Sequence, residues 1–297
     1  MEDRQKKVFI KMLKGVNSFK DKMGIEHHRK TRELIAKIAV PTVKGLKFES
    51  FELCGMSTEW IINTGRRATR GVILYCHGGG YCLGDLNYAR IISSKIALES
   101  GMDVLTFEYR LAPEHPYPSQ LEDGVKAWDY IRSLGYEADD IIIMGESAGG
   151  HLALSIIQQL KLFHQELPKA LVCISPWTDL SLSSDSIEKN KELDVAINCE
   201  FLGLCKDAFS KGHDLNDPFI SPLYADFEGY PKTYIQAGTA EILYDDAKKL
   251  YENMRNAGVD CEFDDFEGMW HVFHMFPMKD SQRAIEKIGE FLESIVS

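Results

Sequence analysis

The chain alternates short apolar runs with amphipathic stretches along most of its length, and this alternation limits the folds open to it. Five runs, rich in β-branched residues, are typical of buried strands: 71–76, 102–107, 141–144, 170–174 and 233–236. Helical periodicity follows or separates them at 87–99, 120–133, 148–164, 245–256 and 281–295. The pattern predicts an α/β fold in which helices cover both faces of a mostly parallel central sheet.

Further elements are predicted at the two ends of this series. Two edge strands are expected near residues 46–53 and 59–63, and a short strand at 261–266 precedes the last helix. Residues 1–40 carry helical periodicity, which Pro41 ends. The predicted apolar face of this segment consists of Val8, Phe9, Met12, Leu13, Val16, Leu34, Ile35 and Ile38.

One stretch, residues 181–211, breaks the alternation because it is polar and helical and contributes no strand. We interpret it as an insertion over the carboxyl edge of the sheet, where open α/β sheets bind their ligands. The sequence thus predicts a single domain, 1–297, with a catalytic core of residues 42–180 and 212–297. Residues 1–40 and 181–211 would form a cap over a pocket at that edge.

Composition excludes several classes of function. Apolar residues make up 44% and charged residues 27%, as in ordinary soluble globular proteins. The net charge of −11 argues against a nucleic-acid partner, since nucleic-acid binding needs clustered lysine and arginine. Residues 1–14 lack the apolar stretch of a signal peptide, and no run is long enough for a transmembrane helix. We expect a cytoplasmic protein with no membrane contact.

The seven cysteines are scattered and form no C-x-x-C pair. This spacing predicts buried free thiols rather than a metal site. They are Cys54, Cys76, Cys82, Cys173, Cys199, Cys205 and Cys261.

A candidate nucleophile lies where a predicted buried strand meets a predicted helix. Residues 145–149 read G-E-S-A-G, the G-x-S-x-G pattern, with Ser147 at its centre. A sharp strand-to-helix turn projects such a serine hydroxyl, while the helix start offers backbone N–H groups. We predict that Ser147 is a nucleophile and that the N–H of Ala148 stabilises an oxyanion. The alternative is an ordinary turn with a capping serine.

A second motif, His77-Gly78-Gly79-Gly80, follows the predicted strand at 71–76. Successive glycines leave the backbone free to turn its N–H groups toward a developing oxyanion. Gly79 and Gly80 are the predicted donors, together with Ala148, and His77 is expected to hold the loop. A flexible loop without this role is the alternative.

With these motifs, the chain resembles the hormone-sensitive-lipase group of α/β-hydrolases, the bacterial family IV esterases. The resemblance spans the core and implies ester hydrolysis, a Ser-His-acid triad and a helical cap, with no metal or organic cofactor. The stretches that carry it are 77–81 (HGGGY), 109–118 (YRLAPEHPYP), 145–150 (GESAGG), 175–177 (SPW), 221–222 (SP) and 268–273 (GMWHVF).

The base should be a histidine late in the chain, because this fold orders its triad as serine, acid, histidine. His271 and His274 both qualify. His271 follows the strand at 261–266 and a turn at Gly268, and the resemblance places the histidine of Gly-x-x-His at this position. We therefore predict His271 as the base and a packing or lid role for His274.

The acid departs from the pattern that the resemblance implies. Where the group usually carries Asp-Pro-Leu, this chain has Glu241 followed by isoleucine and leucine. Glutamate can orient and stabilise an imidazolium as aspartate does. We predict Glu241 as the acid, with Asp245 and Asp246 as rivals one turn into the next helix. Glu146, also a departure from aspartate, is expected to brace neighbouring loops.

Together these residues predict a carboxylesterase that acts on short acyl esters through an acyl-enzyme. Lactone or amide hydrolysis by the same triad, or a silent ligand-binding member of the fold, are the alternatives. Tyr81 and Leu83 are candidate pocket walls. A homodimer could form through an edge strand near 233–236 or through the last helix.

Overall fold

The computed structural model describes residues 2–17, 24–26, 28–29, 44–65 and 71–296. One eight-stranded sheet runs through these residues. Its strands are β1 (Leu46–Leu53), β2 (Met56–Asn63), β3 (Val72–Cys76), β4 (Asp103–Phe107), β5 (Ile141–Glu146), β6 (Ala170–Ile174), β7 (Lys232–Gly238) and β8 (Cys261–Phe266). The α-helices are α1 (Glu2–Asn17), α2 (Leu86–Ser100), α3 (Ser119–Ser133), α4 (Ala148–Leu162), α5 (Asp185–Lys189), α6 (Cys199–Ser210), α7 (Tyr244–Asn256) and α8 (Lys279–Val296).

The strand order is β1-β2-β4-β3-β5-β6-β7-β8. β2 pairs with β1 and β4 in antiparallel fashion, and the remaining neighbours are parallel. The predicted α/β class with a mostly parallel sheet is confirmed. The second predicted edge strand starts earlier than expected, at Met56, because the hairpin register continues to the pair Leu53 and Met56.

Both faces of the sheet are covered, which explains why its strands are continuous apolar runs. Along β3, alternate residues join two different clusters: Leu74 belongs to the one that includes residues of α3, α4 and α7, whereas Ile73 belongs to the one that includes residues of α2 and α8. β5 alternates in the same way, with Ile143 and Ile142 on opposite faces. The period of two in side-chain direction thus divides one buried run between two cores.

The edge strand expected near residues 233–236 is β8 and not the run at 233–236 itself. β7 lies between β6 and β8, with Thr233 opposite Cys261 and Gly238 opposite Phe266. β8 therefore forms this edge of the sheet, because the short run at 261–266 returns in parallel beside β7. The homodimer stays a prediction, and the edge open to it is β8.

The predicted face of α1 is partly wrong. Val8 and Met12 are 60% and 50% exposed. Phe9 and Leu13 pack, as predicted, against the cluster that surrounds the segment after β8, and Ile10, which was not predicted, packs with them. The contact stripe is centred on the 9–13 pair, so its neighbours at 8 and 12 turn toward solvent. Residues 34–38 and Pro41 lie outside the described residues, as does the side chain of Val16.

The segment between β6 and β7 contains α5 and α6 and no strand, as expected for residues 181–211. Within α6, Phe201, Cys205 and Phe209 are buried against the core. Of residues 1–40, the described part includes Arg29, whose Nε donates a hydrogen bond to the Cys82 carbonyl at 3.0 Å. Both segments thus reach the loop after β3; their role as a cap stays a prediction.

The cysteine prediction needs one correction. All seven are free thiols, but Cys54 and Cys199 are exposed rather than buried. Cys54 lies in the turn between β1 and β2, and Cys199 is the first residue of α6, so neither faces the core.

The helices can also be compared with the length and apolar character that a transmembrane helix needs. Across the described ranges, none combines enough length with enough apolar character to span a bilayer.

Candidate active site

Ser147 occupies the sharp turn between β5 and α4. Its backbone has φ 56° and ψ −122°, a conformation that costs a non-glycine residue on the order of 1–3 kcal/mol. The turn needs close backbone approach, since a Cβ on Gly149 would lie 2.0 Å from the Cys76 carbonyl oxygen. The side chain of Ser147 remains 6% exposed at the carboxyl end of the strand. The strained turn thus presents the hydroxyl at the sheet edge, as the motif predicts.

The structure brings the three predicted triad residues together. His271 Nε2 lies 2.9 Å from Ser147 Oγ, and His271 Nδ1 lies 2.7 Å from Glu241 Oε2. All three residues are buried. A carboxylate can only accept, so Nδ1 carries the proton and Nε2 is left to accept the Ser147 hydroxyl proton. This is the geometry that a general base requires.

Glu241 is held by donors besides the histidine. Its Oε1 accepts the Gly238 N–H at 2.6 Å and the Ser175 hydroxyl at 3.1 Å. Ser175 Oγ in turn accepts the Val272 N–H at 3.2 Å, next to His271. Ser175 therefore joins the acid loop to the histidine loop. The sequence assigned it no role, although its place after β6, at the carboxyl edge, was a signal.

The rival carboxylates bind the insertion instead of the histidine. Asp245 Oδ2 accepts the Ser186 N–H at 2.8 Å. Asp246 Oδ2 accepts the N–H groups of Thr178 and Asp179, and its Oδ1 accepts the Ser184 hydroxyl at 3.0 Å. Burial raises the pKa of Asp246 to about 7. Both carboxylates thus hold the chain between β6 and α5.

His274 is fully buried and its ring Nε2 lies 2.9 Å from Gln236 Oε1. Burial, assisted by the charges of Lys95 and His271, lowers its pKa to about 3. Its carbonyl also accepts a hydrogen bond from Lys95 Nζ at 2.7 Å. A neutral ring in this setting packs the loop, in line with the role expected for His274.

The glycine loop presents backbone donors beside Ser147. Gly79 and Gly80 have φ of 114° and 62°, and a Cβ on Gly79 would lie 2.3 Å from the Leu83 carbonyl oxygen. Gly78 donates its N–H to Glu146 Oε1 at 2.6 Å, so Glu146 braces this loop as expected. Among the residues described, none accepts a hydrogen bond from the N–H of Gly79, Gly80 or Ala148.

His77 fixes the start of this loop. Its ring stacks on Tyr109 with centroids 4.1 Å apart, and Nδ1 lies 2.7 Å from the Gly78 carbonyl oxygen. Burial lowers its pKa to about 4, which leaves the ring neutral with Nδ1–H as the donor. The Tyr109 hydroxyl donates to the His77 carbonyl at 2.7 Å. These contacts fix the backbone of the loop at the point where Gly78–Gly80 begin.

Aromatic side chains join the insertion to this loop. The Tyr81 ring stacks on Phe209 of α6, with centroids 4.0 Å apart and planes 9° apart. Cys205, one turn earlier on α6, lies so close to Gly80 that a Cβ there would be 2.7 Å from its Sγ. Leu83 is buried in the same cluster. Tyr81 and Leu83 thus lie beside the loop; their role as pocket walls stays a prediction.

Comparison with known proteins identifies the fold family. A family model described as "alpha/beta hydrolase fold" matches residues 73–275. A crystal structure of an esterase from the bacterial hormone-sensitive lipase family aligns with TM-score 0.90 and 33% identity, covering 97% of both chains. This chain belongs to the hormone-sensitive-lipase group of the α/β-hydrolases.

Curated members of the α/β-hydrolase family are also similar in sequence. An esterase of Acinetobacter venetianus is 35% identical over 227 residues, which is 75% of each chain. An acetyl-hydrolase of Streptomyces hygroscopicus is 34% identical over 240 residues, which is 80% of each chain. The similarity therefore extends over most of this chain and of both relatives.

Proposed function

We propose that the protein hydrolyses short-chain carboxylic esters through an acyl-enzyme formed on Ser147. The protein is a carboxylesterase by family, in keeping with its esterase relatives and neighbours. The observation that carries the proposed mechanism is the chain of two hydrogen bonds from Ser147 Oγ through His271 to Glu241. Ester substrates of small size fit a nucleophile enclosed at the sheet edge.

In the first half of the reaction, His271 Nε2 accepts the hydroxyl proton while Ser147 Oγ bonds to the ester carbonyl carbon. The carbonyl oxygen becomes an oxyanion that accepts hydrogen bonds from the N–H groups of Gly79, Gly80 and Ala148. His271 then returns the proton to the leaving alcohol as the carbon–oxygen bond breaks. The products are the free alcohol and an ester between the acyl group and Ser147.

In the second half, water replaces the alcohol. His271 takes a proton from water, whose oxygen attacks the acyl carbon, and the same donors stabilise the second oxyanion. The proton then returns to Ser147 Oγ as the carboxylic acid leaves. Glu241 keeps Nδ1–H oriented and stabilises the imidazolium in both halves, so it needs no protonation of its own.

The contacts of α6 support short acyl groups as the substrate class. Phe209 and Cys205 pack directly on the oxyanion loop, at Tyr81 and Gly80. We infer that packing this close limits the length of an acyl chain beside Ser147. The Streptomyces hygroscopicus relative is named an acetyl-hydrolase, which agrees with a short acyl group.

Ser147→Ala tests the proposal, with Ser155→Ala as its matched control. Ser155 is a buried serine two turns further along α4 that has no contact with His271. We expect Ser147→Ala to fold and to lose at least about a thousandfold in kcat on p-nitrophenyl butyrate, because the covalent route is removed. Ser155→Ala should stay close to wild type.

Full turnover by purified Ser147→Ala would contradict the proposal. A wild-type preference for lactones or amides over matched esters would favour the alternative hydrolase. Absence of turnover on all three classes, with tight binding of an ester analogue, would favour a ligand-binding member of the fold.

A further inference from the structure

A buried carboxylate of the insertion, Asp194, lies against the loop that carries Glu241. Its side chain is 7% exposed, and it belongs to the turn between α5 and α6. Asp194 Oδ2 accepts the N–H of Ile242 at 3.0 Å, and Oδ1 accepts the N–H of Ala196 at 2.9 Å. Because Ile242 directly follows Glu241, Asp194 binds the backbone N–H next to the acid.

Two neighbours on the same side of the insertion bind the same loop. Ser186 Oγ donates to the Ile242 carbonyl at 2.7 Å, and Asn190 Nδ2 donates to the Glu241 carbonyl at 2.8 Å. Backbone hydrogen bonds from Asn190 N to Ser186 O and from Asp194 N to Asn190 O bring these three residues into register. The insertion thus satisfies the polar groups on both sides of Glu241.

From these contacts we infer that Asp194 is a positioning residue for the proposed reaction: it fixes Glu241 against His271 and places a second negative charge behind the pair. This inference rests on the proposed function, since it assumes that His271 is the base and Glu241 the acid. Among the described residues, Asp194 itself forms no hydrogen bond with Ser147 or His271. It acts through the backbone and through its charge.

The electrostatic surroundings of Asp194 support this role. In the described part of the chain no lysine or arginine forms an ion pair with it. Burial raises its pKa to about 6; the positive charge of His271 acts in the opposite direction, and Glu241 adds to the rise. Above that pH the group is a carboxylate, as its two accepting oxygens require. Its negative charge therefore faces the triad.

The charged groups around His271 decide whether loss of the Asp194 charge raises or lowers the stability of the protonated ring. Glu241 faces it from the loop after β7 and Asp194 from the insertion, while His274 is neutral and Lys95 of α2 donates a hydrogen bond to the His274 carbonyl. Two negative charges favour the imidazolium that forms when Ser147 loses its proton. Removing the Asp194 charge should make the protonated ring less stable.

Asp194→Asn removes the negative charge of Asp194. Asn190→Ala is the matched control, because it removes only neutral hydrogen bonds to the loop that carries Glu241. The measurement is kcat and kcat/KM on p-nitrophenyl butyrate across about pH 5 to 9. We expect Asp194→Asn to lower kcat about tenfold or more and to shift the midpoint of the rise in kcat/KM toward lower pH by about half a unit or more.

The control separates positioning from charge. Asn190→Ala removes two neutral contacts of the acid loop and should lower kcat without moving the midpoint. Asp194→Glu keeps the charge and should keep the midpoint even if kcat falls. Should Asp194→Asn not fold, Asp194→Ser, whose hydroxyl still accepts one N–H, carries the same expectation.

An unchanged midpoint in every neutral Asp194 variant, or an equal shift in Asn190→Ala, would overturn the role of Asp194. Such a result, combined with an inactive Ser147→Ala, would leave the proposed function intact. Full activity in Ser147→Ala would instead overturn the proposed function. The two failures are therefore distinguishable in one set of assays.

Discussion

Glu241 stands where the resemblance implies an aspartate, and its longer side chain is accommodated by specific contacts. Its two oxygens are divided between tasks: Oε2 receives His271, and Oε1 receives Gly238 and Ser175. The carboxylate is therefore held by groups from three places: the end of β7, the segment after β6 and the segment after β8. A carboxylate held on both oxygens can orient the imidazole with little freedom to move.

We predict that Glu241→Gln lowers kcat by about a hundredfold or more while the protein remains folded. The amide keeps the shape of the carboxylate but loses its charge. Both oxygens of Glu241 accept hydrogen bonds, so the NH₂ group of glutamine would face a donor instead of donating to an acceptor. Asp245→Asn is the matched control, because it removes a carboxylate of the same region that contacts Ser186 rather than His271. Steady-state kinetics on p-nitrophenyl butyrate measure both. If Asp245→Asn were inactive and Glu241→Gln active, the acid of the triad would be Asp245 in α7 and not Glu241.

At the scale of elements, α7 and the insertion are joined by Asp246, whose buried carboxyl has a pKa raised to about 7. Such a group binds its proton more tightly in the folded state than in the unfolded state. Its contribution to the free energy of unfolding is therefore greatest at low pH and is lost as pH rises toward about 7. Above that pH the buried charge costs stability.

This gives a prediction for Asp246→Asn. The amide can reproduce the contacts of the protonated acid, with its oxygen accepting from Thr178 and Asp179 and its NH₂ donating to Ser184. We expect the variant to gain on the order of 1–3 kcal/mol relative to wild type at pH 8 and to gain far less at pH 5. Urea unfolding at both pH values measures this. A loss of stability at pH 8 would refute it.

The position of α6 leads to a second prediction, on the length of the acyl group that the enzyme prefers. Each methylene that fits adds about 0.8 kcal/mol of burial, so kcat/KM should rise with chain length until the pocket is full. With Phe209 stacked on Tyr81 beside the oxyanion loop, we predict an optimum within about two to six carbons. A series of p-nitrophenyl esters from acetate to palmitate measures it.

An optimum at about ten carbons or more, or activation by emulsified triglyceride, would favour a lipase instead. Phe209→Ala should move the optimum to longer chains. Leu204→Ala, an exposed leucine on the same helix, is the control and should leave it unchanged.

At the scale of the whole molecule, much of the fold follows from one sequence property. Burial on both faces makes β3, β5 and β6 continuous apolar runs, which the sequence reveals directly. The order of the strands in the sheet cannot be read in the same way, because the neighbours of a strand depend on the crossover connections between strands. The sequence therefore could not show that β8, rather than the run at 233–236, forms this edge of the sheet. Likewise, the periodicity of α1 could not show which side of the helix the core would cover.

The candidate site divides in the same way. Ser147, His271 and the glycines of the loop after β3 lie in motifs whose local turn and spacing are readable from sequence, and chain order narrows the choice of acid. Asp194 left no comparable signal, and Ser175 left only its place after the strand at 170–174, in the SPW stretch 175–177. Asp194 binds the N–H of Ile242, next to Glu241, and Ser175 binds Glu241 itself, so both contacts join segments that are distant in the chain. Contacts between distant segments depend on the tertiary fold.

The central claim is that Ser147 becomes covalently acylated with His271 as its base. The most direct measurement is intact-mass and peptide analysis after treatment with a p-nitrophenyl phosphonate, which reacts with an activated serine and stays attached. We predict one adduct per chain, located on Ser147, absent from Ser147→Ala and strongly slowed in His271→Ala. An adduct on another residue, or none in active enzyme, would contradict the account.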